Sequence, residues 1–237
     1  MENGMKKTIF AAAMAAALVA PMFAHAEAGD WVVRIRAVNV SPNEDSDLGK
    51  TLNRNVANVM SPDAELKVSD KVIPELDISY YFTKNIAAEL ILATGTRHNV
   101  RINDDQLTTV GDQDLGSVNL LPPTLTAQWH FNPDQMIDPY VGAGINYTLF
   151  MDKKLSVNKG PLAGHKIKVD SDSWGWALQA GVDINLKDGW LVNFDAKYVT
   201  IDTDVELKGA ATGGVWTKID DLDINTWVIG FGVGKKF

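Results

Sequence analysis

The sequence predicts an all-β chain closed into an eight-stranded antiparallel barrel that spans a membrane, and three observations carry that reading. Eight segments alternate apolar with polar or small residues at period two, the spacing at which strand side chains point to opposite faces. Short and long connections follow one another in strict alternation, as in barrels with tight turns at one rim and long loops at the other. Trp and Tyr cluster at the strand ends of the apolar face, while charges sit mid-strand on the opposite face.

The chain opens with an export pattern. Lys6 and Lys7 precede an apolar run over 9–20, and Ala24-His25-Ala26 reads as an A-x-A cleavage site. That run is shorter than the roughly 20 residues a membrane-spanning helix needs. The expectation is a signal peptide over 1–26 and one barrel domain over 27–237.

The central hairpin shows the pattern best. Leu125, Ala127, Trp129 and Phe131 alternate with Thr124, Thr126, Gln128 and His130. After a turn over 132–139, Val141, Ala143, Ile145, Tyr147 and Leu149 alternate with Gly142, Gly144, Asn146 and Thr148. These are the fourth and fifth strands. The first covers 31–40, the second 75–82, the third 86–96, the sixth 173–185, the seventh 190–201 and the eighth 225–237. Turns at 83–85 and 187–189 are short and periplasmic. Segments 41–74, 97–122, 152–172 and 202–223 are long and extracellular, the first too polar and irregular to pack, the second open to strand extensions at either end.

Alternation alone also fits a soluble barrel with its charges facing water. The aromatic residues Trp31, Trp129, Trp174, Trp190 and Trp227 at strand ends favour lipid. So does Phe237, an apolar-face aromatic at the end of an alternating strand and the feature that barrel-assembly machinery would read. Lys235 interrupts that face and has to snorkel to headgroups. With lipid outside, Arg34, Arg36, Lys197 and Lys236 face inward with Asp77, Glu89, Asp183 and Asp195, four cations against four anions. Buried charges must pair, so a salt-bridged plug is expected in the lower barrel. Toward the extracellular end Ile91, Ala93, Phe150, Val199 and Ile201 point inward. They line a pocket for a hydrophobic molecule or pack against folded-over loops. Pro122 and Pro123 cannot donate ladder hydrogen bonds and mark either a weak point in the wall or the end of a loop.

Other classes are poorly supported. Cys is absent, so disulfides and thiolate-held metals are out. A formal net charge of −8 disfavours a nucleic-acid partner. No H-E-x-x-H, G-x-S-x-G or phosphate loop occurs, so neither an enzyme nor a cofactor is expected. Asp220, Asp221 and Asp223, or Asp170 and Asp172, have the oxygen chemistry for calcium, although solvated acidic loops explain them better and no metal is expected.

The stretches LPPTLTAQWHF, PYVGAGINYTLFMD, DSWGWALQAGVD, WLVNFDAKYVTIDTDV and NIAAELILATGTRHNV resemble the OmpW family of outer-membrane proteins, which includes AlkL-type alkane-uptake proteins. The resemblance runs from about Gly29 to Phe237. It implies an eight-stranded barrel in the bacterial outer membrane, in contact with lipid and lipopolysaccharide. It further implies passage of small hydrophobic substrates, with exit sideways through the wall because the periplasmic end is blocked. Some members serve instead as colicin or phage receptors, which implies a surface role with a closed interior as the alternative. In the family pattern an aliphatic residue on strand three and a tryptophan on strand seven floor the pocket. Ile91 fits the first position, but Lys197 stands at the second, which implies a shallower or wetter floor with the ammonium paired to Glu89 or Asp195.

Overall fold

The computed structural model describes residues 27–93, 96–107 and 109–237. The export segment expected over 1–26 and the upper end of the expected third strand at 94 and 95 lie outside the described residues.

The strands are β1 (Trp31–Asp45), β2 (Glu65–Val68), β3 (Lys71–Tyr81), β4 (Ile86–Ala93), β5 (Thr96–Asn103), β6 (Gln113–Leu121), β7 (Thr124–His130), β8 (Ile137–Ser156), β9 (Lys166–Val169), β10 (Asp172–Asn185), β11 (Trp190–Val199), β12 (Asp202–Lys208) and β13 (Thr217–Lys236), with one α-helix among the described residues, α1 (Leu48–Asn55). They form eight staves, because β2–β3, β4–β5, β6–β7, β9–β10 and β11–β12 each continue one another. Every stave pairs antiparallel with the next, and β13 pairs with β1 to close the ring. The expected eight-stranded barrel is the fold.

The direction of the side chains separates lipid barrel from soluble barrel. Ile35, Leu125, Ile145, Leu178, Phe194 and Ile229 stand on the outside and about half or more of each side chain is exposed. A wall this apolar has no counterpart on a soluble monomer, whereas a lipid-facing barrel requires it. Two aromatic rims bound the belt. Trp31, Tyr80 and Phe82 stack along the periplasmic rim, with neighbouring centroids 4.9 and 5.0 Å apart. Trp176, Tyr198 and Trp227 form the extracellular one, at 5.7 and 5.1 Å. Lys235 does not break the lower rim, because its Nζ lies 4.7 Å from the centre of the Trp190 ring.

The register also explains a glycine stripe. Arg34 stands opposite Gly234 and Arg36 opposite Gly232. A Cβ at either glycine would strike the arginine stem beside it. The missing side chains on β13 are the space into which the two arginines fold.

Three expectations are corrected. Segment 41–74 is not an unpacked loop: it carries the end of β1, then α1, then β2. Leu48 and Leu52, four residues apart on one helical face, are buried with Met60, Leu66, Ile219 and Leu222. Gly49 lets α1 approach, since a Cβ there would collide with the carbonyl of Ser61. Second, 152–172 and 202–223 are partly wall: β9 and β12 extend the barrel above the membrane, as β5 and β6 do at the two ends of 97–122. Third, Pro139 lies inside β8 rather than in the turn; its carbonyl accepts from the N–H of Phe131 at 2.9 Å.

Candidate functional site

From the periplasmic end upward the barrel interior changes character. Lowest is a small apolar and aromatic layer of Val32, Tyr81, Ala87 and Leu191. Beside it His130 Nδ1 lies 2.7 Å from Asp138 Oδ2, and the Tyr81 hydroxyl lies 3.1 Å from His130 Nε2. His130, Asp138 and Asp183 offer three ligand-type atoms close together. They serve the plug, because Arg34 already holds Asp183 through Nε at 3.2 Å and Nη2 at 2.5 Å.

The plug centres on two arginines projecting from β1. Arg34 also gives Nη1 to Glu89 at 2.9 Å and to Ser79 at 2.6 Å. Arg36 donates from Nε to Asn193 at 2.6 Å and from Nη1 to Glu75 at 3.3 Å, and it lies 3.2 Å from Asp77. Gln179 ties Glu89 to Asp195 with bonds of 2.9 and 2.8 Å. Every cation and anion of the expected plug is buried in the lumen: Arg34, Arg36, Lys197 and Lys236, with Asp77, Glu89, Asp183 and Asp195. The expected balance of four against four is corrected. Glu75 and Asp138 are buried with them, so carboxylates outnumber cations. Sequence reading missed Glu75 because it begins the second strand, where loop and wall look alike.

Lys197 bridges plug and cavity. Its Nζ donates to Glu75 Oε1 at 2.6 Å and to Asp195 Oδ1 at 2.8 Å, so Glu75 and not Glu89 is its second partner. Immediately above lies a cavity. Its walls include Val40, Ile73, Ile91, Ala93, Val199, Ile201 and Val228, with Lys197, Glu75, Thr124 and Asn146 as polar members. Of the residues expected to line a pocket, Ile91, Ala93, Lys197, Val199 and Ile201 do so. Phe150 lines the next, smaller space up, which shares Val68, Leu120 and Ile224 with the first. A third, smaller still, reaches Leu48, Leu52 and Met60 under the extracellular cap. The upper interior is thus apolar-lined, with the folded-over segments packed above it.

Among the described residues, strand pairing beside the cavity breaks at Pro122 and Pro123. Pairing of β4 with β7 reaches Ile91 opposite Thr124, and pairing of β5 with β6 starts at Thr96 opposite Leu120. Between the two ladders stand Pro122 and Pro123, neither with an N–H to give. Pro122 lines the cavity, and its carbonyl accepts from Thr124 Oγ1 at 3.2 Å and Asn146 Nδ2 at 3.4 Å. On the other flank the stave stays bonded to β8, with Tyr147 N donating to Pro123 O at 3.0 Å.

The acidic residues singled out for calcium divide. Asp220 is buried and accepts from Ser46 Oγ at 2.5 Å and from the N–H of Asp47 at 2.9 Å. Asp221 and Asp223 face solvent beside Asp45, Asp47 and Asp202.

The OmpW family model matches residues 27–237. The chain belongs to the OmpW family. Outer membrane protein W of Vibrio cholerae serotype O1 is 37% identical over 236 residues, covering 98% of this chain and 100% of that relative. The crystal structure of the outer membrane protein OprG from Pseudomonas aeruginosa superposes with a TM-score of 0.77 at 30% identity, covering 91% of this chain and 99% of that one. The solid-state NMR structure of the outer membrane protein AlkL in lipid bilayers gives 0.64 at 26% identity, covering 91% and 93%. This member is accordingly an eight-stranded outer-membrane barrel, and its exposed apolar belt is its contact with lipid.

Proposed function

We propose that this barrel carries small hydrophobic molecules across the outer membrane, through the apolar cavity above the plug and out sideways at Pro122 and Pro123. The observation that carries the reading is the position of that cavity. Beneath it the lumen is filled by ion-paired side chains, a path that strips an apolar molecule of nothing and costs the plug its pairing. Above it two further apolar-lined spaces lie under the extracellular cap, and beside it, among the described residues, strand pairing breaks at Pro122 and Pro123. Burying apolar surface draws a hydrophobic solute out of water, at about 25 cal/mol per Å². Passing directly into lipid then costs it no rehydration. In this reading residues 1–26 direct export and are removed, and Phe237 presents the terminal signal to the assembly machinery.

The test is uptake of a medium-chain alkane or alkanol by cells with and without the barrel, and with Pro122→Ala and Pro123→Ala together. Faster uptake with the barrel, reduced in the double variant at equal folded protein, is expected. Unchanged uptake in the double variant removes the lateral route. No difference from cells lacking the barrel removes transport and leaves a receptor role for the extracellular surface, toward a colicin or phage.

A further inference from the structure

The cavity is apolar on its sides and ionic at its floor, and the two parts make different demands on a ligand. Lys197 Nζ uses two of its three protons, on Glu75 and Asp195. Glu75 takes both of its hydrogen bonds, from Lys197 and Arg36, on Oε1. Among the described residues none reaches Oε2, and Glu75 is part of the cavity lining. The floor therefore holds one unused N–H donor and one unused carboxylate acceptor on side chains whose charged ends lie 2.6 Å apart. The neighbouring polar groups are engaged elsewhere, His98 through Nδ1 with the Ser69 carbonyl and Thr226 through Oγ1 with the Ile224 carbonyl. Asn146 gives Nδ2 to Thr124 and Pro122 and accepts from Thr148 at Oδ1, while Thr124 Oγ1 donates to Pro122 and accepts from Asn146.

Resting on the transport reading above, we infer that this site selects hydrophobic molecules carrying a hydroxyl group, alkanols and phenols, over pure hydrocarbons. A hydroxyl both donates and accepts. It can give its proton to Glu75 Oε2 and take one from Lys197 Nζ while its apolar body lies against Ile91, Val199 and Val228. A hydrocarbon pushed to the same depth covers a carboxylate oxygen and an ammonium proton with nothing that bonds them, and leaving buried polar groups unpaired is penalised more heavily than forming the bond is rewarded. A carboxylic acid in its ionised form brings a second negative charge to Glu75 and Asp195. A primary ammonium meets Lys197. The neutral hydroxyl satisfies both partners and repels neither.

The experiment is methyl NMR of the full chain in lipid nanodiscs, following Ile91 while 1-hexanol, n-hexane or 1-methoxypentane is added. Concentrations are compared as mole fractions in the lipid, so that partitioning cancels. The ether matches the alcohol in size and accepts a hydrogen bond but cannot donate one. The expected result is half-saturation by hexanol at a mole fraction about tenfold below that for hexane, with the ether near hexane. In Lys197→Met the advantage of hexanol should shrink to about twofold. Equal responses to alcohol and alkane overturn the hydroxyl preference while leaving the cavity as a binding site. An ether as good as the alcohol also overturns it, because Glu75 would then not be receiving the proton. No response to any of the three overturns the transport reading along with it. The ligand series needs no variant, so the inference stays testable if Lys197→Met does not fold.

Discussion

The lower and upper halves of this barrel are built inside out relative to one another, and a single strand shows it. On the outer face of β13, Asp221, Asp223 and Asn225 give way to Trp227, Ile229, Phe231 and Val233. On its inner face Leu222 and Ile224 give way through Thr226 and Val228 to glycines and Lys236. On β1 the outer face passes from Trp31, Val33, Ile35 and Ala37 to Asn39, Asn43 and Asp45, while the inner face passes from Arg34 and Arg36 to Val38 and Val40. Side-chain period and strand direction never change. What changes is the solvent outside, lipid below and water above. Below, the interior has to hold the polar groups that lipid rejects; above, it has to hold the apolar groups that water rejects. The cavity lies where the interiors meet, the one level at which an apolar wall stands on an ionic floor.

That contrast sets the order of expected effects. Removing one partner from the lower half should cost most. Arg34→Ala leaves Asp183 without its cation and Glu89 with only Arg36, 3.6 Å away, in the buried lumen, a loss of about 3–5 kcal/mol, read as a lower urea midpoint for unfolding in lipid. The upper half should respond as an ordinary protein core. Leu207, fully buried among apolar neighbours, should cost about 3 kcal/mol on replacement by alanine. Limited proteolysis should show the damage confined to the extracellular part, with the membrane belt intact. Comparable cleavage in both halves would mean that they are one cooperative unit.

The outer face of the upper half should respond to pH. Asp223 stands opposite Asp45 on one side and Asp202 on the other. Partial burial, followed by the carboxylates of Asp202, Asp221 and Asp45, holds its carboxyl above the usual aspartate range. A carboxyl raised in the folded state binds its proton more tightly there than when unfolded. Stability is therefore gained as pH falls through the raised value, is complete below the ordinary value of about 3.9, and is lost again as pH rises. Asp223→Asn should stabilise this rim by about 0.3 kcal/mol at neutral pH and flatten its pH dependence. Hydrogen exchange of the amides of β12 and upper β13 reads both.

The membrane belt was legible in the sequence because its two demands reinforce one another. Period-two alternation in which one face is apolar and aromatic and the other bears Arg34, Arg36, Asp183 or Asp195 has few other readings. The extracellular half was illegible for the same physical reason that makes it work. Its strands keep the same period with the sense reversed, so that His98, Val100 and Ile102 point in and Arg101 points out on β5. Read with the membrane pattern in mind, such segments look like polar loops. The helix α1 spans eight residues with two leucines, too little periodicity to stand out before its packing partners are known. Within the site, Ile91, Ala93, Val199 and Ile201 followed from strand parity alone. Glu75 did not, because its role depends on Lys197, which is 122 positions away in sequence and comes within bonding distance only through the curvature of the wall.

The central claim is that the apolar cavity is the route, and placing a charge in its wall tests that most directly. Ile91 lines the cavity and is buried on β4, so Ile91→Asp sets a carboxylate where a hydrophobic solute would lie. The measurement is uptake of a medium-chain hydrophobic compound by cells carrying either form, at equal amounts of folded barrel in the outer membrane. The account predicts that the aspartate reduces uptake to the level of cells without the barrel. Uptake unchanged by Ile91→Asp would contradict it and place the route, or the function, outside the cavity.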